Sequence, residues 1–310
     1  MFAPIVLFTY NRANHARQAV DSLLINQEAN ESDLIIYSDG PKGLSDAVAV
    51  EENRKYIHSI KGFKSIEIIE RDHNWGLANS LIDGITTVVN KYGKVIVVED
   101  DLEVSPFFLK YMNDALTKYE LNEKVSAISA FVNPIKKRLP ETFFLRYFAC
   151  WGWGTWKRGW DLFNPDPNYL LSKFESRQQI HLFDIDSSEF FYDMLKMQAK
   201  GRINSWAIRF HASSFLANKL ILYPGRSLTF QTGMDGSGIH CGNSDTYSDV
   251  ILSQSPIDLS GDIPVEMSEI VYNLYKKFYR KAYGNDFKTW FRRRIRGVLK
   301  RLKKVLLICK

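Results

Sequence analysis

Three consecutive carboxylates, Glu99-Asp100-Asp101, directly follow the segment 95–98, in which all four residues are apolar and β-branched. Such a segment predicts a buried strand, so the three acids lie together at its end. Like charges this close raise one another's pKa and destabilise the fold unless a positive group neutralises them. Because divalent cations prefer oxygen ligands, we expect Mn²⁺ or Mg²⁺ at Asp101. The alternative is a solvated acidic turn that leads into a helix at Ser105-Pro106.

Strands and helices alternate along the first 131 residues. The predicted strands are 5–9, 34–38, 65–70, 95–99 and 125–131, and the predicted helices are 13–27, 46–60, 77–90 and 106–119. This alternation predicts an α/β fold with a doubly wound, mostly parallel sheet, in which ligands bind at the carboxyl ends of the strands. Polar residues follow four of the strands, namely Thr9-Tyr10-Asn11-Arg12, Asp39-Gly40-Pro41-Lys42, Arg71-Asp72-His73-Asn74 and Glu99-Asp100-Asp101. They predict a site for an anionic, hydroxyl-rich ligand.

The common glycine-rich phosphate motifs, G-x-G-x-x-G and G-x-x-x-x-G-K-[ST], are absent from the sequence. Phosphate must then be held by side chains. Arg12 follows the first strand and Arg71 the third, and a metal on Asp101 would neutralise the rest of a diphosphate. The alternative for each Arg is a surface salt bridge.

Four segments resemble GT-A nucleotide-sugar glycosyltransferases of the bacterial polysaccharide type usually filed with family 2. They are 4–12, 37–41, 74–78 and 99–106, and the Glu-Asp-Asp block also resembles N-acetylglucosaminyltransferase I. The resemblance covers about residues 3–245. It implies that Asp39 holds the nucleotide base, Arg12 and Arg71 the phosphates, Asp100 the ribose, Glu99 the donor sugar and Asp101 the metal. The same segments add Thr9, Tyr10, Asn11, Asn74 and Gly76 to the nucleotide-sugar site.

The second half of the chain begins with four tryptophans within residues 151–160. Glycines between them leave ring faces available for stacking on a sugar, so we expect Trp153, together with Trp206, to form an acceptor or sugar wall. The alternative is an aromatic plug in the core. Further on, the glycine-rich stretch with Asp235, Gly236 and His240 predicts a loop that closes over the donor, although His240 also suits an ordinary loop position.

Inverting transfer needs a carboxylate that takes the acceptor proton. The resemblance implies such a residue just before a late-helix Trp, where this chain has Asn204-Ser205, and neither side chain can serve as the base. The nearest acids are Asp184, Asp186, Glu189 and Asp193. We assign Asp193 as the base, beside Glu99 as the other catalytic residue, with a solvated helix face as the alternative for Asp193.

The last 23 residues, 288–310, contain ten Lys or Arg and no acid. Subtracting these charges from the formal net charge of +6 leaves −4 for the rest of the chain. Apolar residues recur at helical spacing among them, which predicts a basic amphipathic helix on an anionic membrane surface. Nucleic acid is the rival partner, and we exclude it because the acidic strand edge would repel a polynucleotide.

The composition is that of an ordinary globular chain, with 45% hydrophobic residues and three scattered cysteines that suggest a reducing compartment. We expect a catalytic domain at 1–265, with a nucleotide-sugar half at 1–131 and an acceptor half at 132–265, and a basic helical tail at 266–310. With no signal peptide evident, the expected location is the cytoplasmic face of the cell membrane.

The sequence therefore predicts a metal-dependent, inverting glycosyltransferase. Its donor would be a nucleoside-diphosphate sugar, with UDP as the nucleotide, and its acceptor a glycan or lipid-linked chain in surface polysaccharide synthesis, either lipopolysaccharide or capsule. The alternatives are an inactive nucleotide-sugar or glycan-binding relative and a nucleotidyltransferase.

Overall fold

The computed structural model describes residues 2–235 and 245–283, and these contain all nine elements predicted in the first 131 residues. The elements in chain order are β1 (Ile5–Thr9), α1 (Ala13–Leu24), β2 (Asp33–Ser38), α2 (Leu44–Ser59), β3 (Ser65–Glu70), α3 (Leu77–Tyr92), β4 (Lys94–Glu99), β5 (Leu102–Val104), α4 (Phe108–Lys118), β6 (Val125–Ser129), β7 (Thr142–Leu145), β8 (Trp153–Trp156), α5 (Lys157–Trp160), α6 (Pro167–Ser172), α7 (Arg177–Phe183), α8 (Phe191–Ala199), α9 (Trp206–Leu216), β9 (Leu220–Pro224), β10 (Thr229–Gln231) and α10 (Glu269–Ala282). The predicted helix start at Pro106 is two residues early, since Ser105 caps a turn by accepting the N–H of Phe107 at 3.2 Å.

Eight strands form one sheet in the order β3-β2-β1-β4-β8-β6-β9-β7. The first four strands are mutually parallel, while β8 runs antiparallel to both of its neighbours and β7 antiparallel to β9. A separate antiparallel ribbon joins β5 to β10. The predicted doubly wound α/β architecture is confirmed, and β7 and β8 are strands that the sequence pattern did not reveal.

Side chains of β1 alternate between two cores. Ile5 and Leu7 pack with residues of α1, α2 and α4 on one face, whereas Val6 and Phe8 pack with residues of α3, α9 and α10 on the other. Because both faces are covered, the central strands are continuously apolar.

The tryptophan-rich segment forms β8 and the short helix α5. Trp153 is fully buried, and Trp156 and Trp160 nearly so, so the core interpretation is right for these three residues. Trp206 is also buried and stacks on Trp153 with ring centroids 5.3 Å apart. The expectation that Trp153 and Trp206 form a sugar wall is therefore wrong, because neither ring presents a face to a ligand.

Helix α10 lies within the segment predicted as the tail. Its Tyr275 and Tyr279 are 1% exposed and belong to the same core as β9 and α9, so this helix packs into the body of the protein. The basic residues 288–310 lie outside the described residues, and the domain boundary at 265 stays a prediction. Within residues 2–235 and 245–283, no helix has both the length and the apolar character to cross a bilayer.

Candidate active site

The four polar segments that follow β1 to β4 meet at one edge of the sheet. The hydrogen bonds between neighbouring strands continue one residue past the strand ends. Asp39 N–H donates to Thr9 O at 3.0 Å, and Arg71 N–H donates to Ser38 O at 2.9 Å. Asp100 N–H likewise donates to Phe8 O at 3.1 Å. The predicted convergence of these segments follows from parallel pairing of adjacent strands, which puts their carboxyl ends side by side.

Arg12 and the acidic block form a buried ion-pair cluster. The guanidinium, at the start of α1, donates to Asp100 and also to Asp101 Oδ2, the latter at 2.9 Å. Asp100 and Asp101 are 4% and 7% exposed. Arg12 is therefore engaged in salt bridges in this structure. This agrees with the salt-bridge alternative, except that the two carboxylates are buried and not at the surface. Its Nη1 atom is buried and has no hydrogen-bond partner among the described residues.

One guanidinium does not neutralise this cluster. Burial, and then the charges of Asp101 and Asp100, raise the pKa of Glu99 to about 8. Burial likewise raises the pKa of Asp100 to about 7, although Arg12 acts in the opposite direction. Burial lowers the pKa of Arg12, but the carboxylates of Asp100 and Asp101 outweigh it and raise that pKa overall. The site thus favours a further cation.

One feature of Asp101 is suited to metal binding. Its Oδ1 atom is buried and has no hydrogen-bond partner among the described residues. Within that part of the chain, no group of three or more His, Cys, Asp or Glu side chains is arranged to hold a metal. Mg²⁺ is often bound by one or two carboxylates together with substrate phosphates, so one protein carboxylate is compatible with a metal that arrives with its donor.

The segment after β10 packs directly on Asp101. Thr232 donates its N–H to the Asp101 carbonyl oxygen at 2.8 Å and its hydroxyl at 3.0 Å. A Cβ on Gly233 would lie 2.6 Å from Asp101 Oδ2, so any larger residue at this position would force the Asp101 side chain to move. The predicted closing loop therefore begins at the acidic cluster. The backbone of Asp235 lies in a 3-10 helix, while Gly236 and His240 lie outside the described residues.

Asp39 organises the loop that leads into α3. Its carboxylate accepts the N–H groups of Gly40, Trp75 and Gly76 at 2.8–2.9 Å and the side-chain amide of Asn74 at 3.1 Å. Asn74 also donates to Gly40 O at 2.9 Å. Four donors occupy both carboxylate oxygens, so a role in holding the nucleotide base stays a proposal.

Arg71 is an ion-paired and stacked side chain. Its guanidinium pairs with Asp83 and lies 3.8 Å from the ring centroid of Trp75 and 5.0 Å from that of Tyr37. The pair with Asp83 uses Nη2, while Nε is buried and has no hydrogen-bond partner among the described residues. The salt-bridge alternative thus describes Arg71 in this structure, and Asp83 is a partner that sequence reasoning missed because it lies on the following helix.

The remaining residues predicted at the first strand end occupy the same edge. Thr9 Oγ1 accepts from Asn53 at 3.0 Å, the Tyr10 hydroxyl donates to Asp46, and Asn11 is half-buried. Asn53 and Asp46 lie on α2, so this helix orients the residues after β1.

An aromatic pocket of about 170 Å³ lies beside the acidic cluster. Its lining includes Phe131, Tyr147, Trp151, Phe191 and Tyr247. The ring centroid of Trp151 lies 4.6 Å from that of Phe131 and 4.9 Å from that of Tyr247, and both contacts are edge-to-face. Trp151, which lines the pocket, precedes the buried strand β8, whereas Trp153, the residue selected from the sequence, belongs to that strand.

The ribbon strand β10 connects this pocket to the acidic cluster. At one end Thr229 Oγ1 donates to Trp151 O at 2.7 Å, and just past the other end Thr232 bonds to Asp101 O. Three residue steps span at most about 10 Å, so the two sites are adjacent.

The residues considered as catalytic base occupy different environments. The Asp193 side chain is 63% exposed and pairs with Lys196 at 2.5 Å, so the solvated-face alternative describes it in this structure, and its assignment as base stays a prediction. Asp184 accepts the N–H of Tyr192 at 2.8 Å, and burial raises its pKa to about 6. Ser205 caps α9 by accepting the N–H of Ile208 at 3.3 Å. Glu189 is 8% exposed.

The model of the GNT-I family matches residues 1–169, which is more than half of the 310-residue chain. No curated protein matches the sequence. Similar solved structures include a mannosyltransferase from Pyrobaculum calidifontis in complex with GDP-Man and Mn²⁺ (12% identity, TM-score 0.39, 70% of each chain covered). Others are S. aureus TarS 1–349 (11%, 0.39, 76% of this chain and 61% of that one) and a UDP-glucose pyrophosphorylase with UDP-glucose (11%, 0.36, 72% and 90%).

Proposed function

Because the chain belongs to the GNT-I family and is a glycosyltransferase of the GT-A fold, we propose that it transfers a sugar from a UDP-sugar to a glycan or lipid-linked acceptor. The donor would bind at the strand edge with Arg12, Asp100 and Asp101, and the acceptor in the aromatic pocket next to it. The observation that carries this proposal is the buried acidic cluster, in which Asp101 Oδ1 has no hydrogen-bond partner among the described residues and Oδ2 lies against Gly233.

Asp101 would hold Mn²⁺ or Mg²⁺. When bound there, a divalent cation supplies Lewis-acid stabilisation of the charge that develops on the departing diphosphate. Arg12 would contact the diphosphate through its free Nη1 atom, Asp100 the ribose and Glu99 the donor sugar. The segment that starts at Gly233 would exclude water from the donor, which suppresses hydrolysis.

The proposed reaction is a single in-line displacement that inverts the anomeric centre. Its proposed setting is surface polysaccharide synthesis at the inner face of the cell membrane, to which residues 287–310 would bind.

A second candidate is a relative that binds nucleotide sugars or glycans without turnover. It is favoured by the absence of a carboxylate at Asn204-Ser205 and by the exposure of Asp193. Release of nucleotide from the donor, measured with and without Mn²⁺, separates the two candidates.

The test of the proposed function is a thermal-shift panel of UDP-N-acetylglucosamine, UDP-glucose, UDP-galactose and GDP-mannose with Mn²⁺. A donor at 100 times its Kd stabilises the folded protein by about 2.7 kcal/mol, so one member should raise Tm clearly. Asp101→Ala should abolish the metal-dependent part of that shift, whereas Glu103→Ala, an exposed acid two residues away, should leave it unchanged. A panel without any metal-dependent shift, or an unchanged shift in Asp101→Ala, would refute the proposal.

A further inference from the structure

Three consecutive non-glycine residues between α7 and α8 adopt left-handed backbone conformations. Ile185, Asp186 and Ser187 have φ values of 48°, 52° and 56°. L-residues other than glycine visit this region rarely, and then singly, so a run of three is strained. Such strain persists only where the surroundings enforce it, and it clusters at functional sites.

Two helices enforce this turn. From α10, Tyr272 and Lys276 donate to the Asp186 carboxylate at 3.0 and 2.8 Å, and Arg280 donates to its carbonyl oxygen at 3.2 Å. From α7, the His181 ring lies 2.8 Å from the hydroxyl of Ser187. The turn thus has a fixed position between α7, α8 and α10, and it directs the chain inward so that Ser188 is fully buried.

Glu189 follows this turn and carries a buried carboxylate. Its N–H donates to Asp184 O at 3.0 Å, and its carboxylate accepts the N–H of Phe190. No Lys, Arg or His forms an ion pair with Glu189 in the described part of the chain. Burial, together with the charge of Asp184, raises the pKa of Glu189 to about 8. A basic carboxylate of this kind is suited to proton abstraction near neutral pH.

Glu189 lies near the aromatic pocket. The ring of the next residue, Phe190, contacts Tyr283 with ring centroids 6.5 Å apart, and the Tyr283 hydroxyl lies 3.2 Å from that of the pocket residue Tyr247. The charge of Glu189 acts on both of these tyrosines and on Tyr147 and Tyr279. Among the described residues, these tyrosines and Asp184 are the titratable groups that interact with it. The pocket residue Phe191 is two positions further along the chain.

The pocket lining itself offers no better base among the described residues. It contains no Asp or Glu, and its one histidine, His211, is 3% exposed and packed against the rings of Phe183 and Phe191. Burial lowers the pKa of His211 to about 3, which makes it a poor proton acceptor.

We propose that Glu189 is the general base of the transfer and that the aromatic pocket holds the acceptor sugar, with its reacting hydroxyl toward Glu189. The acceptor O–H bond breaks and its proton passes to the Glu189 carboxylate, while the oxygen forms a bond to the anomeric carbon. The bond from that carbon to the diphosphate oxygen breaks, and its electron pair leaves with the nucleoside diphosphate. This inference rests on the proposed function and names the residue and the acceptor surface of the same site.

The test compares Glu189→Gln with Glu175→Gln, a matched change at an exposed acid outside the site. Transfer is measured by UDP release with a panel of methyl and p-nitrophenyl glycosides as acceptors, and donor binding by thermal shift. Glu189→Gln should lower kcat 10²- to 10⁴-fold, the usual contribution of a general base, with an unchanged donor shift. Glu175→Gln should transfer at the wild-type rate. Equal rates for Glu189→Gln and wild type, or a larger loss of kcat in Asp193→Asn than in Glu189→Gln, would overturn the inference.

The pH profile distinguishes a base from a structural carboxylate. Wild-type kcat should rise toward a plateau above about pH 8, Glu189→Asp should retain a rising limb at lower rate, and Glu189→Gln should lose it. If Glu189→Gln does not fold, two results still overturn the inference. One is a wild-type pH profile of kcat without a rising limb, and the other is a Glu189→Asp profile identical to that of the wild type. Failure of the proposed function is distinct, because the wild type would then show neither donor shift nor UDP release.

Discussion

Arg12 joins the first helix to the acidic block after β4, and it is the residue on which the electrostatics of the site depend most. Its guanidinium reaches Asp100 and Asp101 from the N-cap position of α1. Removal of one partner from a buried ion pair leaves the other charge buried without compensation, which costs about 3–5 kcal/mol. Arg12 thus stabilises the protein as well as the proposed donor site.

Arg12→Ala should lower the free energy of unfolding by about 3 kcal/mol at pH 9 and by much less at pH 5. The folded-state pKa values of Glu99 and Asp100 are raised above their ordinary values, so the folded protein retains protons that the unfolded chain releases. Stability therefore falls as pH rises from about 4 to 8, and loss of the guanidinium steepens that fall.

Urea denaturation of wild type, Arg12→Ala and Arg12→Lys at pH 5 and pH 9 checks this prediction. Arg12→Lys keeps a positive charge, so its free energy of unfolding at pH 9 should lie between those of the wild type and Arg12→Ala. Equal losses for Arg12→Ala at both pH values would contradict it.

At the scale of elements, β8 divides the parallel half of the sheet from the mixed second half. It lies between β4 and β6, and α5 turns back over β6 immediately afterwards. That turn depends on Gly159, where a Cβ would lie 2.2 Å from the Ser126 carbonyl oxygen and 2.5 Å from Thr155 Oγ1. Residues 147–151, just before β8, contribute to the aromatic pocket. The packing of α5 on β6 therefore also fixes the position of the proposed acceptor surface.

Gly159→Ala should destabilise the protein by about 1–3 kcal/mol or more, because a methyl group there overpacks against backbone. Gly261→Ala is the matched control, since no heavy atom lies within 4 Å of its added Cβ, and its effect should stay within about 0.5 kcal/mol. Thermal and urea unfolding of both variants measure the difference. Similar stabilities for the two variants would show that the α5 turn relaxes without cost.

For the molecule as a whole, α10 packs into the core and precedes the basic segment in the chain. Tyr275 packs against Phe143 and Tyr223, with ring centroids 6.3 Å apart in each pair. Lys276 and Tyr272 of the same helix hold the strained turn before Glu189. This helix therefore connects the proposed membrane-binding residues to the proposed catalytic base.

Two truncated chains should behave differently. A chain that ends at residue 286 should melt cooperatively, keep its donor shift and lose binding to anionic liposomes, since each Lys or Arg near such a surface contributes about 1 kcal/mol. A chain that ends at residue 265 should lose cooperative unfolding, because it lacks the buried Tyr275 and Tyr279.

Liposome flotation at low and high salt and thermal melting of the three chain lengths measure these effects. Salt should weaken flotation of the full chain through screening. Flotation of the 286-residue chain, or a cooperative melt of the 265-residue chain, would contradict the prediction.

The sequence by itself determined the parallel half of the sheet and the convergence of Arg12, Asp39, Arg71 and the Glu99 block at one edge. Those inferences depend on local periodicity and on parallel pairing, which fix where strand ends meet. Tertiary structure alone decided which aromatic residues line a pocket, because Trp151 and Trp153 differ by only two positions but belong to a loop and a buried strand. It also decided the surroundings of the acids near residue 189, since Glu189 is buried after a turn that α10, about 80 residues away in the chain, holds in place, whereas Asp193 on α8 is exposed.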